Sequence, residues 1–187
     1  MKNREQEIKA ILSQNEYDYL KKKLQFDEEF EQINIYYSDK NGILDNRKIT
    51  VRIREKRGTL ILQVKEPISE KGSLHVHNEY EKVISDIPRI ICSEELSELC
   101  GIYLPDVQLL DFLITHRAVK WWNKTTQICL DKSIYLGKVD YEVEIEYEQR
   151  LHENVIAQFG NWNIQFNKDV CGKYQRFKKE YKKQQGL

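Results

Sequence analysis

Four short stretches of this chain set charged residues at every second position, and all four carry groups suited to metal or phosphate chemistry. Glu5, Glu7 and Lys9 alternate near the start, and Arg52 and Arg54 alternate within residues 51–54. Glu79 and Glu81 do so within 78–81, and Glu142, Glu144 and Glu146 within 141–147. Clustered carboxylates cannot all stay ionised without cations beside them. Divalent Mg²⁺ or Mn²⁺, held by oxygen ligands, relieves that repulsion and bridges to phosphate. Arginine presents a planar fork that fits phosphate oxygens two at a time, and lysine adds a point charge. The chemistry that such a set serves is metal-assisted transfer of a phosphoryl group to water.

The elements that position these groups follow from the alternation. In a strand, residues i, i+2 and i+4 point to one side. Ile8, Ala10 and Leu12 then back the first charged face, Val51 and Ile53 the second, and Tyr141, Val143, Ile145 and Tyr147 the last. Asp131 shares parity with Gln127 and Cys129, opposite Ile128 and Leu130. Such strands can form an open sandwich whose charges face water and guard an edge. They can also close into a barrel whose apolar backs pack outward on helices while the charges line the lumen. Cationic positions (Lys9, Arg52, Arg54, Lys65, Arg117) and acidic ones (Glu5, Glu7, Glu79, Glu81, Asp131, Glu142, Glu144) come from many different strands. An enclosed, charged cavity is the economical arrangement.

Elsewhere the spacing predicts a capping box at Ser13–Glu16 and a short amphipathic helix over 14–25. Strands are expected at 32–39, 48–56 and 59–66, the last ended by Pro67 and followed by a loop over 68–73. Further strands fall at 75–84, 126–136 and 139–147, with turn signals at Gly42, Gly58 and Gly137. Helices are expected near 93–101, capped by Gly101, and over 149–159 and 173–185. Residues 108–122 suit a helix or a buried strand, with more strand character from Ile114 onward. His75 and His77 read as surface or loop residues, Trp121 and Trp122 as packing, and the basic C-terminal helix as a solvated face. The expected fold is one α+β domain over 1–187, with about eight antiparallel strands and surface helices.

With 30 basic and 30 acidic residues in 187, no charge excess points to nucleic acid or a membrane surface. The four cysteines (Cys92, Cys100, Cys129, Cys171) have no paired spacing, so free thiols in a reducing compartment are expected rather than a disulfide framework or a zinc site. The first residues have no apolar run of a signal peptide, and no run approaches membrane-spanning length. The chain reads as cytoplasmic.

The charged elements also occur in a recognisable order. Glu5-x-Glu7-x-Lys9 is followed by Gln32-x-Asn34-x-Tyr36-Tyr37, Arg52-x-Arg54, Lys65, Glu79-x-Glu81, Arg117, Asp131, the late glutamates and a C-terminal lysine. This set, spanning residues 5 to about 176, resembles the CYTH, or triphosphate tunnel metalloenzyme, superfamily, and within it the small bacterial stand-alone YjbK-like branch. The superfamily includes class IV adenylate cyclases, thiamine triphosphatases and inorganic triphosphatases. The resemblance implies a closed eight-stranded antiparallel β-barrel that binds a triphosphate with two divalent ions, Mg²⁺ or Mn²⁺. By residue match, Glu5, Glu7 and Lys9 are catalytic. Lys9, Arg52, Arg54, Lys65, Arg117 and Lys173 would contact phosphate, and Glu5, Glu7, Glu79, Glu81, Asp131, Glu142, Glu144 and Glu146 would hold metal or orient the basic groups. Three points depart from the pattern or stay open. Tyr36-Tyr37-Ser38-Asp39 stands where the family has Tyr-Phe-Asp-Thr; three glutamates compete for a two-glutamate motif, with Glu142 and Glu144 favoured and Glu146 close behind; and Lys168 competes with Lys173, which, followed by Tyr174 and Arg176, fits the family's ending better.

The expected function is a metal-dependent triphosphatase acting on inorganic triphosphate or a small organic triphosphate. An adenylate cyclase, which also needs an adenine pocket and an aligned ribose hydroxyl, and a non-catalytic polyphosphate- or nucleotide-binding module are the alternatives. The expected partner is the small-molecule triphosphate or polyphosphate, with no nucleic acid or membrane, and a homodimer stays open.

Overall fold

The computed structural model describes residues 2–71, 74–148, 151, 153–166 and 170–186. Its strands are β1 (Lys2–Leu12), β2 (Glu28–Ser38), β3 (Thr50–Lys56), β4 (Thr59–Lys71), β5 (Leu74–Ile84), β6 (Ile90–Ile91), β7 (Val107–Asn123), β8 (Thr126–Tyr135) and β9 (Lys138–Tyr147). Helices α1 (Gln14–Lys23), α2 (Ile43–Asn46), α3 (Ser93–Cys100), α4 (Glu153–Asn161) and α5 (Lys173–Gln184) accompany them. The sheet runs β2-β3-β4-β5-β1-β9-β8-β7, and β7 pairs back onto β2. All pairings are antiparallel, so these strands close an eight-stranded barrel, with the two-residue β6 attached to β7.

The alternating pattern explains the closure. The outward faces of β1, β8 and β9 bury Ile8, Ala10, Leu12, Ile128, Leu130, Val143 and Ile145 against Leu20 of α1 and Val155 and Phe159 of α4. On the other side, Ile35, Val51, Ile53, Leu62 and Val64 pack on Leu44 of α2 and Leu96 of α3. Burial of a leucine- or isoleucine-sized side chain stabilises by about 1.5–3 kcal/mol, so helices on the outside hold the barrel shut while polar groups stay within. α1 begins with the expected capping box, in which Glu16 N–H donates to Ser13 Oγ and Ser13 N–H donates to Glu16. Gly101 ends α3 in the left-handed region at φ 72°, which glycine adopts without Cβ strain.

Several local expectations change. β4 does not stop at Pro67 but runs to Lys71, so no loop fills 68–71. Its register with β5 shifts between Pro67 and Ser69, and this irregularity accommodates a residue that lacks a ladder donor. Residues 108–122, open between helix and strand, belong to the 17-residue strand β7. The turn near Gly42 leads into the short helix α2, whose first backbone N–H groups at Ile43 and Leu44 donate to Asp39. α5 is not merely a solvated face. Phe177 is fully buried with Tyr36, Leu113 and Tyr135, which share the parity of the lumen residues on their strands, so α5 closes one end of the barrel.

Candidate active site

Cross-strand register decides which charged residues meet. Lys9 stands opposite Glu144 and Glu7 opposite Glu146. Gln127 stands opposite Glu146 and Cys129 opposite Glu144. Glu5 and Glu7 face His77 and His75, Lys65 faces Glu79, and Arg54 and Arg52 face Asn34 and Tyr36. Residues opposite each other in a ladder lie on one side of the sheet, so all of these project into the lumen. They enclose a cavity of about 660 Å³ whose lining includes Glu5, Glu7, Glu79, Glu144 and Glu146 together with Lys9, Arg52, Arg54, Lys65, Arg117 and Lys173. Asp131, Glu142 and Glu81 lie outside that lining. Asp131 is fully buried under Arg117, Glu142 pairs with Lys173 and Arg176, and Glu81 accepts from Gln63. Lys168 lies outside the described residues.

The cations are unequally committed. Arg117 grips Asp131 through Nε (2.8 Å) and Nη2 (2.7 Å), and also reaches Glu144 at 2.5 Å and Glu146 at 3.1 Å. Lys173 lies 2.8 Å from Asp131 and 2.9 Å from Glu144, and pairs with Glu142 as well. Lys9 is 2.6 Å from Glu7, and Lys65 binds Glu5. Arg52 donates to Gln63 at 2.7 Å and is 3.5 Å from Glu79. Arg54 differs: it donates to Asn34 Oδ1 at 3.1 Å and makes no ion pair among the described residues. Beside it, Asn34 Nδ2 and Tyr36 Oη are buried without a hydrogen-bond partner among the described residues. Arg54, without an ion pair among the described residues, thus converges on the cavity with two unpartnered groups of the β2–β3 wall, Asn34 Nδ2 and Tyr36 Oη, whose burial costs free energy unless an anion accepts from them.

The ionisation states follow the same division. Burial works to raise the Glu7 carboxyl, but Lys9 and Lys65 outweigh it and hold it well below the usual range. Arg117 and Lys173 do the same for Asp131 against its burial. Burial, reinforced by Glu5, Glu144 and Glu7 against the pull of Arg117, pushes Glu146 up to about 7. Burial and Glu7 also raise Glu144. Burial and the neighbouring Arg52 push Arg54 down to about 10. Burial, then Lys65, lowers the His77 imidazole, so it is neutral at neutral pH.

Three groups of side chains bring ligand atoms within 4.8 Å of one another: Glu5, Glu7 and His77; Glu7, Glu144 and Glu146; and Asp131, Glu142 and Glu144. Burial first, and then repulsion from neighbouring carboxylates, raises Glu144 and Glu146; a divalent cation relieves that repulsion, and carboxylate oxygens match Mg²⁺ or Mn²⁺. The residues therefore fit such ions, with the first two groups on the cavity wall and the third beneath Arg117 and Lys173.

The sequence reading passed over several residues. His75 and His77 are not surface or loop positions but lumen residues, and the signal was their shared parity with Glu79 and Glu81. Trp122 packs on the outer core as expected, whereas Trp121, in step with Arg117 and Val119, lines the cavity. Arg176, which pairs with Asp140 and Glu142, had no periodic signal, because it reaches them from α5. Cys100 and Cys129 are buried free thiols and Cys92 and Cys171 exposed ones.

A family model for the CYTH domain matches residues 3–168. The Bacillus subtilis (strain 168) protein named "Putative triphosphatase YjbK" is 32% identical over 146 residues, which is 75% of each chain. Among solved structures, a Bacillus halodurans protein named "putative adenylate cyclase" superposes with a TM-score of 0.74 at 25% identity, covering 94% of this chain and 98% of that one. HpAC1 from Hippeastrum, a named adenylyl cyclase reported to have a dominant triphosphatase activity, shares the fold at a TM-score of 0.72 and 19% identity, covering 94% and 95%. Among the described residues, no helix is long and apolar enough to cross a membrane.

Proposed function

The chain belongs to the CYTH domain family, and from that premise we propose that it is a divalent-metal-dependent triphosphatase, hydrolysing inorganic triphosphate or a small organic triphosphate inside the barrel. The observation that carries this reading is the pair of opposed walls. Glu5, Glu7, Glu144 and Glu146 gather acceptors on β1 and β9, while β2 and β3 offer Arg54, which makes no ion pair among the described residues, and the donors Asn34 Nδ2 and Tyr36 Oη, which have no partner there. A negatively charged chain of phosphates meets the donors on one side and, through cations, the carboxylates on the other. The relative named as a triphosphatase agrees with it.

Divalent ions held by Glu5, Glu7, Glu144 and Glu146 would polarise phosphate oxygens and lower the pKa of a water ligand. The protein's own residues do the remainder. Arg52, Arg54 and Lys65 fix the phosphate chain and stabilise charge that grows on it in the transition state. Lys9, between Glu7 and Glu144, and Arg117, between Asp131 and Glu146, keep the acidic wall in place. Glu146, which burial and its acidic neighbours hold near neutrality in the metal-free protein, is the carboxylate whose ionisation a bound cation would favour most. Lys173 and α5 shut the far end against bulk water.

The test is phosphate release by purified protein with Mg²⁺ or Mn²⁺ from inorganic triphosphate, ATP and thiamine triphosphate, with cyclic AMP assayed alongside. Metal-dependent release that falls by about 10²–10³-fold in Glu7→Ala is expected. Cyclic AMP as the main product would establish the cyclase instead. Triphosphate binding without turnover would leave a binding module.

A further inference from the structure

We infer that the tunnel carries two unlike metal positions sharing Glu7: an all-oxygen one from Glu7, Glu144 and Glu146, and a nitrogen-containing one from Glu5, Glu7 and His77. The inference rests on the metal-dependent reading above and assigns a residue to it from geometry. His77 sits on β5 directly across the ladder from Glu5 of β1. The ligand atoms of Glu5, Glu7 and His77 fall within 4.8 Å of one another, as do those of Glu7, Glu144 and Glu146, so Glu7 has a place in both groups. The imidazole Nδ1 of His77 is buried and has no hydrogen-bond partner among the described residues. A buried ring nitrogen without a partner forgoes a hydrogen bond worth having, and a cation between it and two carboxylates would satisfy it. The ring is also held in place: His75 stacks against it with centroids 6.1 Å apart and planes 7° from parallel.

The difference between the two positions has a chemical consequence. Mg²⁺ takes oxygen ligands and keeps several waters. Imidazole nitrogen favours first-row transition ions, with affinity rising from Mn²⁺ through Co²⁺. The all-oxygen position therefore suits Mg²⁺ or Mn²⁺ alike, whereas the Glu5–Glu7–His77 position selects Mn²⁺ or Co²⁺ ahead of Mg²⁺. The two ions in one active protein need not be the same element.

The test is metal binding read without turnover. Mn²⁺ is titrated into the full chain and pulsed electron paramagnetic resonance is used to look for histidine nitrogen coupled to the bound ion. Coupling should appear in the wild type, change to the ¹⁵N pattern on selective ¹⁵N-histidine labelling, persist in His75→Ala and vanish in His77→Ala. Calorimetry should show Mn²⁺ and Co²⁺ affinity at this position falling by about 10-fold or more in His77→Ala, with Mg²⁺ affinity nearly unchanged. The labelling arm needs no variant, so a misfolded His77→Ala does not block the answer. No histidine coupling in the wild type, coupling that survives His77→Ala, or an equal fall for Mg²⁺ would overturn the inference. Hydrolysis of triphosphate with Mn²⁺ bound but no nitrogen coupling would overturn the nitrogen position alone and leave the triphosphatase standing. His77-dependent coupling without hydrolysis of any triphosphate would do the reverse.

Discussion

Two arginines of the lumen separate holding the fold from holding the ligand. Arg117 neutralises Asp131, Glu144 and Glu146, all of them buried or nearly so. Removing one partner of a buried ion cluster leaves charge uncompensated and costs about 3–5 kcal/mol. Arg117→Ala is therefore expected to lower thermal stability severely, as read by calorimetry. Arg54 compensates no carboxylate among the described residues. Arg54→Ala should leave the melting temperature of the metal-free protein almost unmoved, yet lower kcat/KM for triphosphate by about 10²-fold. Equal stability losses in the two variants would refute this division of labour. Glu146 supplies the pH dependence. Burial and its acidic neighbours hold its folded pKa at about 7, above the ordinary glutamate value of 4.5. The resulting stabilisation is complete below about 4.5 and disappears as pH rises through 7, a change on the order of 3 kcal/mol. Unfolding of the metal-free protein should thus show falling stability between about pH 5 and 6.5, before the buried Lys173, whose ammonium burial brings down to about 7, adds a slope of opposite sign, and a divalent ion should flatten that fall by offsetting the charge of Glu5, Glu7, Glu144 and Glu146. The pairing of parity and charge made most lumen residues legible beforehand. The histidines were not, because imidazole is common on surfaces and its alternation with Val76 looks like an ordinary strand.

At the scale of elements, the helices act as walls and one acts as a stopper. α5 inserts Phe177 among Tyr36, Leu113 and Tyr135, and its Lys173 and Arg176 enter the buried acidic cluster. Phe177→Ala should cost about 3–5 kcal/mol by leaving a cavity, visible in denaturant unfolding, and should also impair activity more than an equally destabilising change on the outer face, such as Phe159→Ala on α4. If both variants lose activity only in step with stability, α5 does no more than pack. The α1 and α3 boundaries were readable from caps and most strands from alternation, but β2 begins at Glu28 rather than at residue 32, where the alternation became regular. The end of β4 was not. Proline usually breaks a ladder, but here the register shift after Pro67 absorbs the missing donor, and β5 provides a partner strand that the local sequence does not disclose. β7 misled for the opposite reason, since a half-buried run of Leu109, Leu110, Phe112, Leu113 and Ile114 satisfies either period until its neighbours are known.

For the molecule as a whole, zero formal net charge conceals a strong internal separation of charge. Opposite signs are gathered in the lumen and held there by a barrel with no open edge among its eight strands. Ligands that complete this charge pattern should stabilise the fold through mass action. A slowly hydrolysed triphosphate analogue with Mg²⁺ or Mn²⁺, at 100 times its Kd, is expected to add about 2.7 kcal/mol, or roughly 5–10 °C in Tm for a chain of this length. The analogue without metal, or metal without the analogue, should give a smaller shift. No shift under any of these conditions would contradict the triphosphate reading.

Alternation with a period of two is a property of the backbone of each strand, so the sequence by itself determined that charged and apolar faces exist, which residues share them, and that their chemistry suits metal and phosphate. It also determined α1 and α3 through their caps. Only the tertiary structure decided which faces meet. Register between strands distant in the chain places Glu7 beside both Glu146 and His75, sets Asp131 beneath Arg117 rather than on the cavity wall, and leaves Arg54 without an ion pair among the described residues. Those relations depend on ring closure from β2 to β7 and on outward packing against the helices, and no local window of sequence contains either.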